Sequence, residues 1–331
     1  MSACPALSVI VATRNRPALL AAALESVARQ TLRDYEVLVI DDGSELEHQS
    51  AYDALFARLG AQFRYVRTAP PSRCGSGPAL ARNRGLDSAQ GRYVAFLDDD
   101  DAWTWDDHLR AAIETLDETG EDLYCGNMQA FRSDVLVVPS WVEDAGVLAA
   151  TKPIHTTPPV YRVGQREFLT HAKRRVIHPN MLVVRRTLVN EIGGFAITQR
   201  FGEDAEFVLR LLDRTDSVLY CPVVVARYRV PEGDSHSLTM TRVEQDMQML
   251  AAARRVGIVA RSAAVRHAAA DIEGWSLRTL SRHAKAEGRT GTAVRLSLQA
   301  FVACPTAGAL ADVARSLLPL RFSTVTTPST K

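Results

Sequence analysis

The sequence predicts an α/β fold: a doubly wound, mostly parallel sheet flanked by helices, followed by a helical C-terminal region. Three observations predict it. Short β-branched or aromatic runs alternate with helical patterns over the first 130 residues. Those runs are apolar without a two-residue alternation, the mark of strands covered on both faces. Beyond about Met240 the strand formers thin out and Ala, Arg and Leu dominate.

The runs are "LSVIVAT" (7–13), "YEVLVID" (35–41), "FRYVRT" (63–68) and "RYVAFLD" (92–98). Helical patterns separate them at 17–30, 47–59 and 78–89, two of them opened by Pro17 and Pro78, which suit a first helical position. Strand–helix–strand repetition at this spacing builds a parallel sheet. A helix follows Trp105 to about Thr119. "LYCGNMQAF" and "VLVVPSW" read as antiparallel strands. Residues 140–165, rich in Pro and Thr, read as a long loop over the site. "NMLVVRR" (180–186) and "SVLYCPVVVARYRV" (217–230) read as strands. Between them "FGEDAEFVLRLLDR" (201–214) enters a helix with 205, 208, 209 and 212 on one apolar face. Several helices are expected over 241–320, and a disordered tail over 321–331.

The chain of 331 residues is 47% apolar with a net charge of +1, so neither a basic excess for nucleic acid nor an acidic solvating tail is present. Five scattered cysteines form no C-x-x-C pair, which suits a reducing compartment. The first apolar stretch is too short for a signal peptide, and no run of about 18 apolar residues suggests a membrane span. A cytoplasmic protein is expected.

Chemistry is expected where open sheets present it, beyond the carboxyl ends of the strands. Three strands end in polar clusters: "TRNR" (13–16), "DDGS" (41–44) and "DDDD" (98–101). Four adjacent carboxylates repel one another unless a hard divalent cation sits among them, and oxygen ligands select Mg²⁺ or Mn²⁺. Such ions commonly hold a phosphate as well. Asp42 reads either as a turn residue or as an acceptor for ribose or base N–H groups. Arg82, in "ALARNRGL", can pair with phosphate or lie in a salt bridge. Glu203 and Asp204, at a helix start, read as caps or as a general base for an attacking hydroxyl.

Taken in order, "LSVIVATRNRPALLAAALESVARQTLRDYEVLVIDDGS", "ARNRGLDSAQGRYVAFLDDDDAW" and "IGGFAITQRFGEDAEFVLRL" resemble the family 2 glycosyltransferases, which have the GT-A fold and use nucleotide sugars. The resemblance covers residues 7–240. It implies one glycosyltransferase domain over 1–240, with a nucleotide-sugar half at 1–130 and an acceptor half at 131–240. It implies that Thr13, Asp42, Arg82, Asp98 and Asp99 hold the donor. It implies a D-x-D motif at Asp98–Asp100, with Asp100 ligating Mn²⁺ or Mg²⁺. The family often adds a late histidine to the metal; His236 is the candidate and His178 its competitor. Asp204 would be the catalytic base, supported by Glu203. Ala196 stands where many members carry an aspartate after G-G-F.

The implied function is inverting transfer of a sugar, from a UDP-linked donor, to a hydroxyl of a glycan or lipid-linked glycan. The basic helical C-terminal region would allow peripheral contact with the inner face of the cell membrane. A non-catalytic sugar-nucleotide binding module and a nucleotidyltransferase are the alternatives. The second usually has a Gly-rich phosphate loop after the first strand, and "TRNRP" has no glycine.

Overall fold

The computed structural model describes residues 4–68, 70, 75–142, 151–171, 177–231 and 239–318. Leu7–Thr13 (β1), Tyr35–Asp41 (β2), Phe63–Arg67 (β3) and Tyr93–Phe96 (β4) run parallel in the order β3-β2-β1-β4. β1 and β2 are buried almost throughout, as strands covered on both faces must be. Helices Pro17–Ala28 (α1), Gln49–Phe56 (α2) and Pro78–Ser88 (α3) lie between these strands. Pro17 and Pro78 sit in the first turns of α1 and α3. α3 packs tightly on β1 at Gly85, where a Cβ would come 2.5 Å from Ile10 Cγ2.

After β4 the chain forms the short strand Ala102–Trp103 (β5) and helix His108–Thr119 (α4). The rest of the sheet is mixed. It comprises Leu123–Arg132 (β6), Val135–Val138 (β7), Pro153–Thr156 (β8), Pro159–Gly164 (β9), Leu182–Arg185 (β10) and Ser217–Arg229 (β11). The strand order is β3-β2-β1-β4-β10-β6-β11-β9-β8, with β5 beside β11 and β7 beside β6. β10 is inserted antiparallel between β4 and β6, and β11 runs parallel to β6. The carboxyl ends of β1, β4, β6 and β11 therefore share one edge.

One expectation is corrected here. Residues 153–164 are not a loop over the site but the β8–β9 hairpin that ends the sheet. β9 pairs with Ser217–Tyr220, the start of β11, far along that strand from Arg229. Val160 and Val163 are buried, and the prolines are tolerated because Pro153 lies in the edge strand β8 and Pro159 is the first residue of β9. Residues 143–150 lie outside the described residues, as do His236 and the expected tail at 321–331.

Gln165–His171 (α5), Arg186–Glu191 (α6) and Glu203–Leu212 (α7) surround the mixed half. On α7 the expected face, Ala205, Val208, Leu209 and Leu212, is buried, and so are Glu203 and Glu206. Four helices follow: Arg242–Val259 (α8), Ala263–Ala286 (α9), Thr290–Ala303 (α10) and Ala307–Leu317 (α11). α8 opens with a capping box between Thr241 and Glu244. Val256, Ala260, Val265 and Ala269 join the same core as the sheet, so α8 and α9 bury apolar surface against it. Among the described residues no helix is long and apolar enough to cross a membrane.

His108 carries a testable consequence. It opens α4 fully buried, its ring 5.4 Å from Trp103 and 5.9 Å from Tyr124, with neither ring nitrogen hydrogen-bonded to a described residue. Burial pushes it down to about 3. The folded protein thus holds His108 neutral while the unfolded chain takes up a proton below pH ~6.5. Stability is full above that pH and falls by about 1.4 kcal/mol per unit as the pH drops toward 3. Urea unfolding should show His108→Leu removing about 2 kcal/mol of the loss between pH 7 and pH 5. A pH dependence equal to wild type would contradict the burial argument.

Candidate active site

β4 ends at Phe96, and the aspartates that follow do not continue it. Asp101 N–H donates to Asp98 O at 3.2 Å, closing a turn. A turn, unlike a strand, sends the side chains of residues three apart to the same side. Asp98 and Asp101 accordingly converge with His178, their ligand atoms all within 4.8 Å of one another. His178 arrives from the segment leading into β10, with Nε2 3.6 Å from Asp98 Oδ2. Asn180 ties this segment to the turn: its Nδ2 donates to Asp101, and its Oδ1 accepts from Asp98 N–H at 3.1 Å. Arg229 N–H, at the end of β11, donates to Asp101 Oδ1 at 2.7 Å.

The other two aspartates face elsewhere. Asp99 accepts from Thr13 Oγ1 at 2.7 Å, joining the ends of β1 and β4. Arg16 donates to Asp99 at 3.3 Å and to Asp100 at 3.0 Å. The sequence expected Asp100 as the metal ligand, with His236 or His178. The convergent cluster instead contains Asp98, Asp101 and His178, because the turn points Asp100 at Arg16.

The electrostatics follow from crowding. Burial pushes Asp99 up to about 7, with Asp100 adding to the shift and Arg16 and Thr13 opposing it. Burial, then Asp98 and Asp100, also push Asp101 well above the usual carboxylate range. Asp98 goes the other way. Its burial would raise it, but the Arg82 guanidinium and His178 hold it below that range. Two carboxylates and an imidazole converging at this distance fit a hard divalent cation such as Mn²⁺ or Mg²⁺, which would relieve the repulsion.

Arg82 links this cluster to the acidic start of α7. It is buried, with Nη2 donating to Asp98 Oδ1 at 2.7 Å and Nη1 to Glu203 Oε1 at 3.1 Å. Its guanidinium also lies 5.2 Å from the centroid of the Phe195 ring. Burial and the adjacent Asp204 push Glu203 up against the pull of Arg82. Asp204 is half-buried beside it, one oxygen accepting from Ala205 N–H at 2.7 Å. The charge of Asp204 acts on Arg82 and on Tyr228 of β11, so its carboxylate lies near both.

Asp42 lies apart from the aspartate turn, joined to it through its N–H bond to Thr13 O at 3.0 Å. Its Oδ2 accepts from Ser76 and Gly77 N–H, both at 2.7 Å, and its buried Oδ1 has no partner among the described residues. Gly75 makes this approach possible: its φ is +61°, and a Cβ would come 2.6 Å from Asp42 Oδ2. Sequence reasoning did not assign roles to Asp101, Asn180 or Arg16. Asp101 was visible as the fourth aspartate. Arg16 was visible only as the end of the polar cluster "TRNR", and nothing local marked Asn180.

A model of the family described as Glycosyl transferase family 2 matches residues 8–193, more than half of the chain. This chain belongs to glycosyl transferase family 2. The family 2 match includes β1, Asp42, Arg82, the aspartate turn and His178, and ends before Glu203. The chain is 29% identical over 216 residues to the succinoglycan biosynthesis protein ExoW of Rhizobium meliloti, covering 64% of this chain and 65% of that protein. It is 36% identical over 120 residues to a GalNAc(5)-diNAcBac-PP-undecaprenol beta-1,3-glucosyltransferase of Campylobacter jejuni, covering 36% of each. Both matches span less than two thirds of the relatives' lengths.

Among solved structures, S. aureus TarS 1-349 in complex with UDP-GlcNAc aligns with a TM-score of 0.68 at 19% identity, covering 94% of this chain and 88% of that one. The mannosyltransferase PcManGT from Pyrobaculum calidifontis, in complex with GDP-Man and Mn²⁺, aligns with a TM-score of 0.57 at 19% identity, covering 95% and 80%. At this identity the likeness shows a shared fold, which is the GT-A-type fold expected from the sequence.

Proposed function

We propose that this family 2 protein is an inverting glycosyltransferase that moves a sugar from a nucleotide-diphosphate donor to a hydroxyl of a glycan or lipid-linked glycan. One observation carries the reading: Arg82 bridges Asp98, in the acidic cluster, to Glu203, beside Asp204, so one guanidinium joins the metal-type cluster to the candidate base. A non-catalytic binding module has no need of a second acidic centre held at that distance.

Thr13, Asp42 and Asp99 are the proposed nucleotide contacts. The unpartnered Oδ1 of Asp42 is suited to accept from a base N–H. Asp98, Asp101 and His178 are the proposed ligands for Mn²⁺ or Mg²⁺, in place of Asp100. Bound there, the ion supplies electrostatic relief for charge developing on the diphosphate. Arg82 adds a fixed positive charge and holds Glu203 in place. Asp204 takes the proton of the acceptor hydroxyl. The acceptor oxygen bonds to the anomeric carbon as the bond to the diphosphate oxygen breaks, and the diphosphate leaves with that electron pair. A single displacement from the opposite face inverts the configuration.

A UDP-linked donor is proposed, supported by the UDP-GlcNAc in the TarS complex. A lipid-linked acceptor is supported by the undecaprenol-linked substrate named for the Campylobacter jejuni relative, and peripheral contact with the inner face of the cell membrane is proposed with it. Thermal unfolding with a panel of UDP- and GDP-sugars, with and without Mn²⁺, tests the reading. A cognate donor at a hundredfold above its Kd should stabilise the protein by about 2.7 kcal/mol, and EDTA should remove most of that gain. His178→Ala should lose the Mn²⁺-dependent part. Equal Tm values for every nucleotide sugar, with and without metal, would overturn the proposal.

A further inference from the structure

α11 is turned inside out relative to an ordinary surface helix. Its buried positions are Ala309, Asp312 and Ser316. Asp312 pairs with Arg278 of α9 and with Arg315, and Ser316 Oγ lies 2.9 Å from Ser297 Oγ of α10. The polar side of the helix is thus taken up by contacts within the protein. Leu310, Leu317 and Leu318 face outward, 57%, 64% and 61% exposed. On α10, Leu298 and Val302 lie one turn apart and are 47% and 81% exposed. A surface helix ordinarily shows the reverse arrangement, and clustered exposed apolar residues mark a contact surface.

The charge indicates what covers it. From Lys285 to Leu318 the charged residues are Lys285, Glu287, Arg289, Arg295, Asp312 and Arg315, a net charge of +2. Asp312 is buried and paired, and Glu287 pairs with Arg289 at the entry to α10, so no acid faces outward from α10 or α11 themselves. The sequence after Leu318 adds Arg321 and Lys331 and again no acid. Two copies of this face would oppose positive charge with positive charge. Exposed leucines with a net basic excess suit a layer that is apolar inside and negative at its surface. Trp275 of α9, 47% exposed, extends the apolar character toward the start of α11. With Cys304 and Thr306 it lines a mostly apolar cavity of about 680 Å³.

We propose that the outward faces of α10 and α11 dock this protein on an anionic lipid bilayer. The surface is read from its own chemistry, and its purpose, access to a lipid-linked acceptor, rests on the function proposed above. Co-sedimentation of the full chain with sucrose-loaded vesicles tests it. The vesicles are phosphatidylcholine alone, or phosphatidylcholine with phosphatidylglycerol. Wild type is expected to bind the anionic vesicles, less so at high salt, and to bind phosphatidylcholine weakly. Leu310→Glu with Leu317→Glu should lower partitioning roughly tenfold or more, and Arg295→Glu should weaken it mainly at low salt. Both variants should keep the wild-type Tm and nucleotide-sugar response, since neither site touches the cleft. No vesicle binding by wild type, or equal binding by the leucine variant, overturns the docking surface. So does light scattering that finds wild type dimeric and the leucine variant monomeric without vesicle binding. A retained nucleotide-sugar response in those cases leaves the transferase reading standing. Vesicle binding without any nucleotide-sugar response would leave the docking surface standing alone.

Discussion

Asp204→Asn should reduce sugar transfer by about 10²- to 10⁴-fold in kcat, the range for losing a positioned general base, while leaving donor affinity close to wild type. The asparagine keeps the shape of the side chain and can still accept from Ala205 N–H, so the start of α7 should hold. Glu203 would keep its bond to Arg82 and with it the geometry on the donor side. Release of nucleoside diphosphate, with titration of the donor by calorimetry, measures both quantities. Equal turnover in the two proteins would remove Asp204 as the base. Donor binding without turnover in wild type itself would favour the non-catalytic module.

Arg82→Met should be the most destabilising change in the site. Arg82 is buried between Asp98 and Glu203, and its removal strands two carboxylates that its charge now satisfies. Breaking a buried pair from one side costs about 3–5 kcal/mol. Methionine retains much of the apolar stem that lies against Phe195, so the loss reports mainly charge. Asp98 should rise from its lowered range and hold a divalent cation less well. Urea unfolding at neutral pH gives the first effect, and the Mn²⁺-dependent Tm shift gives the second. A loss below about 1 kcal/mol, the size of an exposed pair, would show that solvent already screens the bridge.

The parallel half of the fold was legible because its signals are local. Each of β1, β2 and β4 is a continuous apolar run, and Pro17 and Pro78 punctuate the helices between them. The α7 face at 205, 208, 209 and 212 was equally plain from its period. What escaped depended on pairing between distant segments. No local pattern says that β10 enters between β4 and β6, or that Pro153–Gly164 forms an edge hairpin rather than a loop. The site divided along the same line. Thr13, Asp42, Asp98, Asp99, Glu203 and Asp204 were marked by strand ends or a helix start and Arg82 by its charge within a helix leading to the aspartates, and Arg82 draws Asp98 and Glu203 together. Asp101 was set aside because a D-x-D reading looks at alternate residues, whereas the chain turns there and pairs residues three apart. Asn180 and Arg16 bond across 79 and 84 positions of sequence, respectively, and nothing near either residue announces its partner.

The insertion of β10 ties the half that carries the aspartate turn to the rest of the chain. A fragment stopped at residue 130 would contain every aspartate of the turn yet lack His178 and Asn180, and its β4 would meet water where β10 belongs. The centre of the sheet stays open until about residue 185 has been synthesised, so the ribosome delivers the last central strand after both of its neighbours. Chimeras between relatives should therefore exchange β4 to β10 as one block. A crossover inside that block would ask one parent's strand to fill a slot cut by the other.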